Sequence, residues 1–285
     1  MGALCVPLAP PVLVNAAQPV ADALPTLALV PPAERSWQLS GAREQGGVML
    51  GSVPRGATTL ALDGIPIPIA PDGRFLIAFD RDAPPQAWLE ARAADGRRWP
   101  LTLSIAPRAW QIQSLPTLPK VPVPSADFQR RRPEELRRIA SARATSAAVE
   151  GWRQGFLWPV RGAITGRFGS QRIYAGEPGA YHSGVDVARP TGTPVAAPAD
   201  GIVVLAATAP FTLEGHLLMI DHGMGLNSAF LHLSRIDVAE GQAVRRGQII
   251  GAVGMTGRAT GPHLHWGMKW RDRRIDPLLL AGPMP

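Results

Sequence analysis

From Trp158 onward, short Val/Ile/Leu runs are broken by glycine-rich turns, a pattern that predicts strands and no long helix. The predicted core strands are Val185-Asp186-Val187, Val203-Val204, Leu217 to Ile220, Phe230 to Leu233, Ile249-Ile250 and His263 to Met268. The stretch Val238 to Gly251, with Gly241 and Gly247, reads as a hairpin unit of a barrel-sandwich sheet. A second group of runs lies between Ser36 and Pro107: Val48 to Leu50, Thr58 to Leu62, Ile65 to Ile69, Phe75 to Phe79, Ala87 to Ala91 and Leu101 to Ile105. Asp63-Gly64, Asp72-Gly73 and Asp95-Gly96 punctuate them, and Asp-Gly between apolar runs is a hairpin signal. This half predicts a small β-sandwich of six or seven strands. It holds no histidine and no clustered carboxylates, so it reads as an accessory module.

Between the two groups, residues 115–124 (LPTLPKVPVP) form a proline linker unsuited to helix or central strand. A connecting helix is predicted next. Ser125 or Asp127 can cap it, Pro133-Glu134-Glu135 suits a first turn, and Leu136, Ile139 and Ala142 supply the apolar positions. The expected organisation is a leader or tether over 1–35, an accessory β-sandwich over 36–114, linker and helix over 115–157, and a larger β-domain over 158–285. The fold class is mainly β.

Residues 3–14 are apolar and lead to Asn15-Ala16-Ala17, which resembles a small-residue cleavage site. No Lys or Arg precedes Arg35, so the reading is a signal peptide with an altered or truncated start, and an address in the cell envelope, periplasm or medium. Pro7, Pro10 and Pro11 argue against a membrane span, and no transmembrane helix is expected. The single cysteine, Cys5, permits no intramolecular disulfide.

The formal charge is +7, and residues 121–160 carry seven arginines against four carboxylates. Basicity of this kind suits an anionic polymer. Aromatic stacking runs, zinc-finger cysteines and a phosphate loop are all lacking, so nucleic acid is not the expected partner. The arginines of the predicted helix read first as the solvated face of a connector.

All six histidines follow residue 181. His182 stands four residues before Asp186, a carboxylate within an apolar strand, which is costly unless paired or bound to a cation. His263 and His265 are two apart on a strand, so both imidazoles face one side. His232 sits among apolar neighbours in Phe230-Leu231-His232-Leu233. His222 reads as the brace of a turn at Asp221 to Gly225, and His216 has no partner nearby in the chain.

His182-Ser183-Gly184-Val185-Asp186, the PVAAPADG stretch from Pro194 to Gly201, Leu231-His232-Leu233 and the run Thr256 to His265 together resemble the lysostaphin-type (LytM-type) zinc metallopeptidases. The similarity covers about Trp158 to Pro277. It implies an antiparallel β-sheet with a groove across one face, and Zn2+ held by His182, Asp186 and His265. His232 and His263 would then be the catalytic pair, and the substrate would be the peptides of bacterial peptidoglycan. A loop from Arg167 to Gly179 is expected at the groove wall, where Tyr174, Tyr181 and Arg172 meet substrate. The alternative is a metal-binding but catalytically silent regulator of another cell-wall hydrolase, with the arginine-rich helix as a lid. Such a hydrolase, or another envelope protein, is the expected protein partner.

Overall fold

The computed structural model describes residues 37–117 and 125–284, and is mainly antiparallel β. The predicted leader and residues 118–124 of the proline linker lie outside the described residues.

Seven strands come first, in two sheets. One sheet orders β1 (Gln38–Gly41), β2 (Val48–Ser52) and β5 (Arg74–Ala78); the other orders β4 (Ile65–Ile67), β3 (Thr59–Leu62), β6 (Gln86–Arg92) and β7 (Arg98–Ser104). Phe75, Ile77, Leu62, Leu89 and Leu103 are fully buried in the apolar core that both sheets share. Asp63-Gly64 closes the β3–β4 hairpin in two residues, with φ of 53° and 79°. Both angles are positive, as a turn matching the strand twist requires. Asp95-Gly96 lies in the β6–β7 turn. Asp72-Gly73 behaves differently: β5 pairs with β2 rather than β4, so this turn carries the chain from one sheet to the other.

The linker prediction needs correction at its start. Leu115 ends a strand, β8 (Ile112–Leu115), which pairs in parallel with β10 (Gln171–Tyr174). β10 also pairs with β11 (Glu177–Pro178), so the expected 167–179 loop contains a hairpin. The parallel partner comes from far along the chain, where local proline content carries no information.

The helix α1 (Ala126–Ala144) starts earlier than Pro133-Glu134-Glu135 implied. Ser125 caps it by accepting a hydrogen bond from the Phe128 N–H, and Pro133 lies in its interior. Tertiary packing overrides the proline: Ile139 and Ala142 bury against Leu205, Phe211, Leu217 and Met219. Leu136 is exposed, while Glu135 is 4% exposed and takes the inward position. Glu135 is kept there by the Thr212 backbone N–H (2.8 Å) and hydroxyl (2.6 Å), which donate to its two oxygens.

The main sheet orders β18 (Ala243–Val244), β14 (Gly201–Ala206), β15 (His216–Asp221), β16 (Leu226–Leu233), β20 (His263–Trp270), β12 (Gly184–Ala188) and β9 (Ala163–Gly166). β21 (Arg273–Ile275) adds to β20, and the short helix α2 (Pro277–Ala281) follows. A separate sheet orders β13 (Pro194–Ala196), β19 (Ile249–Ala252) and β17 (Arg235–Ile236). β18 and β19 therefore belong to different sheets and do not form the hairpin unit read from Val238 to Gly251. Gly241 and Gly247 instead turn the chain between sheets, both with positive φ.

Alternation along the central strands separates two faces. Val185, Val187, Phe230, Leu264, Trp266 and Met268 enter the core. Asp186, His263, His265, Ala229 and Leu231 line the opposite face, which α1 covers only in part. No helix among the described residues is long and apolar enough to cross a membrane.

Candidate metal centre

Asp186 on β12 and His265 on β20 are direct cross-strand partners, so the sheet itself sets their side chains against each other. His265 Nδ1 lies 2.8 Å from Asp186 Oδ1. His182, in the turn before β12, places Nε2 3.0 Å from Asp186 Oδ2 and 3.1 Å from His265 Nδ1. Two imidazole nitrogens and a carboxylate oxygen thus converge on one point. Ligands about 2.0–2.1 Å from a tetrahedral metal stand roughly 3.3 Å apart, so the observed 2.8–3.1 Å separations need open only slightly to seat such an ion. The donor set, two nitrogens and one oxygen, is of the type that binds divalent zinc.

The surroundings fix these groups. The His182 Nδ1–H donates to the Arg167 carbonyl at 3.2 Å, leaving Nε2 bare toward the centre. Two glycines make space. A Cβ on Gly166 would come within 2.9 Å of the Asp186 carboxyl carbon, and one on Gly184 within 2.8 Å of His265 Nε2. Burial disfavours the Asp186 charge, but the imidazoles of His182 and His265 beside it outweigh that and hold the carboxyl well below the usual range. Burial pushes the His265 imidazole down. For His182, burial acts downward too, but the Asp186 carboxylate prevails and raises it.

The other two candidate histidines lie beside this cluster. His263 Nε2 is 3.8 Å from Asp186 Oδ1, and its Nδ1–H donates to the Gly261 carbonyl at 2.8 Å. The rings of His232 and His263 are 4.8 Å apart. Strict alternation would have put His232 on the core face with Phe230. A register shift between β15 and β16 inserts an extra residue there, and His232 takes a left-handed φ of 63°. That conformation costs about 1 kcal/mol for a non-glycine residue, and it turns the imidazole into the groove. The residue is held at both ends: its N–H donates to the Glu214 carbonyl and its Nδ1–H to the Thr256 carbonyl, each at 2.8 Å. Burial pushes the His232 pKa down to about 4, so the ring is neutral at pH 7 and Nε2 is free to accept a proton.

His222, set aside on sequence grounds, is fully buried between the Asp200 carbonyl and Ser228 Oγ, each at 2.8 Å. His216 opens β15 and meets the Ala207 carbonyl at 3.1 Å. Neither joins the cluster.

The cluster sits in an open cleft of about 1370 Å³. One wall is α1. The other is the β8–β10–β11 sheet with Tyr181, so Tyr174, Tyr181 and Arg172 all line the cleft. The Tyr181 hydroxyl donates to Asp80 at 3.0 Å, and Arg172 donates to Gln113 at 3.2 Å.

A family model, Peptidase family M23, matches residues 180–277. A crystal structure from Pseudomonas aeruginosa assigned to peptidase M23 superposes with a TM-score of 0.65 at 30% identity, covering 84% of this chain and 95% of that one. The chain belongs to peptidase family M23. Among curated M23-like relatives, the peptidoglycan DD-endopeptidase ShyA of Vibrio cholerae is 45% identical over 105 residues, 37% of this chain and 24% of that protein. The DD-carboxypeptidase/endopeptidase Mpg of Neisseria meningitidis is 42% identical over 104 residues, 36% of this chain and 24% of that protein. The chain thus spans about a quarter of the length of these relatives.

Part of the site lies outside the M23 segment and escaped the sequence reading. Gly166 and the Arg167 carbonyl precede it, and nothing in Thr165-Gly166-Arg167 signals contact with a carboxylate twenty residues on. The Thr256 and Glu214 carbonyls, which seat His232, are backbone groups that leave no trace in residue type. The one available hint was Gly184 within the His182–Asp186 motif.

Proposed function

We propose that this M23 protein is a zinc-dependent endopeptidase that hydrolyses peptide cross-links of bacterial peptidoglycan, acting in the cell envelope. The observation that carries the reading is the convergence of His182, Asp186 and His265, with two further imidazoles beside them, in a cleft wide enough for a peptide. The names of ShyA and Mpg support the substrate class.

His182 Nε2, Asp186 and His265 Nδ1 would hold the ion. When bound, zinc with three protein ligands supplies Lewis-acid polarisation of an amide carbonyl and acidifies water at its open position. His232 acts as general base: it is neutral at pH 7, its tautomer is set by the Thr256 carbonyl, and Nε2 faces the cleft. His263, with Nδ1–H committed to Gly261, offers Nε2 to the developing oxyanion or to the leaving amine. The walls orient the peptide along the sheet, Tyr174, Tyr181 and Arg172 on one side and α1 on the other.

The test is release of peptides from purified sacculi, followed by mass spectrometry, with and without a chelator. Zinc-dependent release that His232→Ala abolishes is the expected result. Intact sacculi with the zinc-loaded protein would overturn the reading in favour of a regulator of another hydrolase.

A further inference from the structure

Among the arginines lining the cleft, Arg132 is held by carboxylates, whereas Arg143 and Arg274 stand beside a lysine without such a partner. Lys269 continues the groove-side alternation of His263, His265 and Gly267 along β20. Arg274 is its cross-strand partner on β21. Arg143, from the last turn of α1, lines the cleft as Arg274 does. Among the described residues, none of these three side chains forms an ion pair with a carboxylate. Of the nearby carboxylates, Glu214 holds Arg132 through two contacts of 2.6 and 2.8 Å, Asp80 accepts from the Tyr181 hydroxyl and the Arg274 backbone N–H, and Asp272 acts on Lys269 only at a distance, without an ion pair.

Arg274 donates to the Tyr181 hydroxyl at 3.4 Å, but for its neighbours the shortfall extends to neutral groups. Arg143 Nε is buried without a hydrogen-bond partner, and so is Asn227 Oδ1, which belongs to the residue directly opposite Lys269 on β16. Burial, with the guanidiniums of Arg143 and Arg274 close by, pushes Lys269 down to about 8. Holding unpaired cations together is costly where two of them, Arg143 and Lys269, are half-buried, and an arriving anion removes that cost.

We propose that Arg143, Lys269 and Arg274 form a carboxylate-binding subsite that holds a free carboxylate of the peptide being cut. Four residues along β20 separate Lys269 from His265, about 13 Å at strand spacing. The Arg274 guanidinium extends back toward the metal centre, lying 5.3 Å from the Tyr181 ring beside His182. The subsite therefore reads an acidic group several bonds away from the cleaved amide. It sets substrate choice, not bond breaking, and only Arg143 of the three lies outside the M23 segment.

This inference rests on the endopeptidase reading for its ligand, so its test separates binding from cleavage. A cross-linked cell-wall peptide and its fully carboxamidated counterpart are compared on the full chain. Calorimetry with chelator-stripped protein gives Kd; turnover of both peptides by zinc-loaded protein gives KM and kcat. Amidation should weaken Kd and raise KM about tenfold to a hundredfold, the range for charge-assisted contacts, with kcat within about threefold. Lys269→Met combined with Arg143→Met should bind the two peptides alike, and Lys269→Glu should prefer the amidated one. Arg274→Gln, on an exposed side chain, serves as the variant that disturbs folding least. Should neither peptide be cut, the endopeptidase reading fails, but the Kd difference still decides the subsite. Equal Kd values in the wild type, or a preference that survives the double substitution, would overturn it.

Discussion

Gly166→Ala tests whether the metal centre is held by steric fit as well as by its ligands. Gly166 pairs directly with Asp186 across β9 and β12, and the new methyl would lie 2.9 Å from the Asp186 carboxyl carbon. Carbon atoms rest at about 3.5–4.0 Å, so the carboxylate must retreat by at least roughly 0.6 Å. Metal–ligand distances tolerate about 0.2 Å. Displacement on that scale should therefore detach the oxygen ligand, and zinc should bind at least about a hundredfold more weakly. The backbone at Gly166 carries no left-handed strain, and Gly→Ala lowers unfolded-state entropy by about 0.4–1 kcal/mol in favour of folding. The metal-free protein should thus melt within a few degrees of wild type. The contrast appears on adding zinc. At a hundredfold excess over the wild-type Kd, zinc stabilises wild type by about 2.7 kcal/mol and the variant by only about 0.4 kcal/mol. Competition with a chromogenic chelator gives Kd, and melting curves with and without zinc give the linkage. A variant Kd within threefold of wild type would refute the reasoning, because the carboxylate would then not be where the metal needs it.

Further outcomes follow from the same geometry. His265→Ala should lose zinc, measured by elemental analysis of the purified protein, whereas His232→Ala should retain it and lose about 10²–10⁴-fold in turnover on sacculi. Glu214→Ala removes the closer of two carboxylate partners of Arg132 at the α1 contact and should cost about 2 kcal/mol in chemical denaturation, less than a fully buried pair; Arg132→Met in the same background should cost less, since only the longer contact to Glu135 remains. Burial holds His222 at about 4, below its unfolded value near 6.5, so the unfolded chain takes up this proton first as pH falls. Its contribution is present above pH 6.5 and is lost on descending to pH 4, with a slope of at most about 1.4 kcal/mol per pH unit. His222→Gln should flatten the stability profile in that window, and an unchanged slope would count against the buried neutral ring.

The strands were legible because alternation and turn chemistry are local. Asp63-Gly64 and the His263–Met268 run announce their geometry within a few residues. The convergence of His182, Asp186 and His265 was legible for a related reason: an H-x-H on a strand and a histidine four residues before a carboxylate encode facing in their spacing. Long-range partners were hidden. Nothing around Leu115 points to Gln171–Tyr174, and nothing in the Val238–Gly251 stretch says that its strands serve different sheets. α1 misled through Pro133, whose missing donor is outweighed by the burial of Ile139 and Ala142. Glu135 took an inward place that residue type would assign to Leu136, because Thr212 supplies two donors. His232 shows the same limit at the site itself: the bulge that turns it into the groove depends on register with β15, a property of two strands together.

The parallel pairing of β8 with β10 has a practical consequence. The strand leaving the N-terminal sheets is stitched by main-chain bonds to the hairpin bordering the cleft, so cleft width depends on both halves of the described chain. A fragment cut back to Trp158 would keep every histidine, yet its hairpin would present a bare edge, free to sway or to recruit a foreign strand. Activity measured on such a fragment would report a wider mouth than the 285-residue chain possesses, and with it a looser choice of what is admitted.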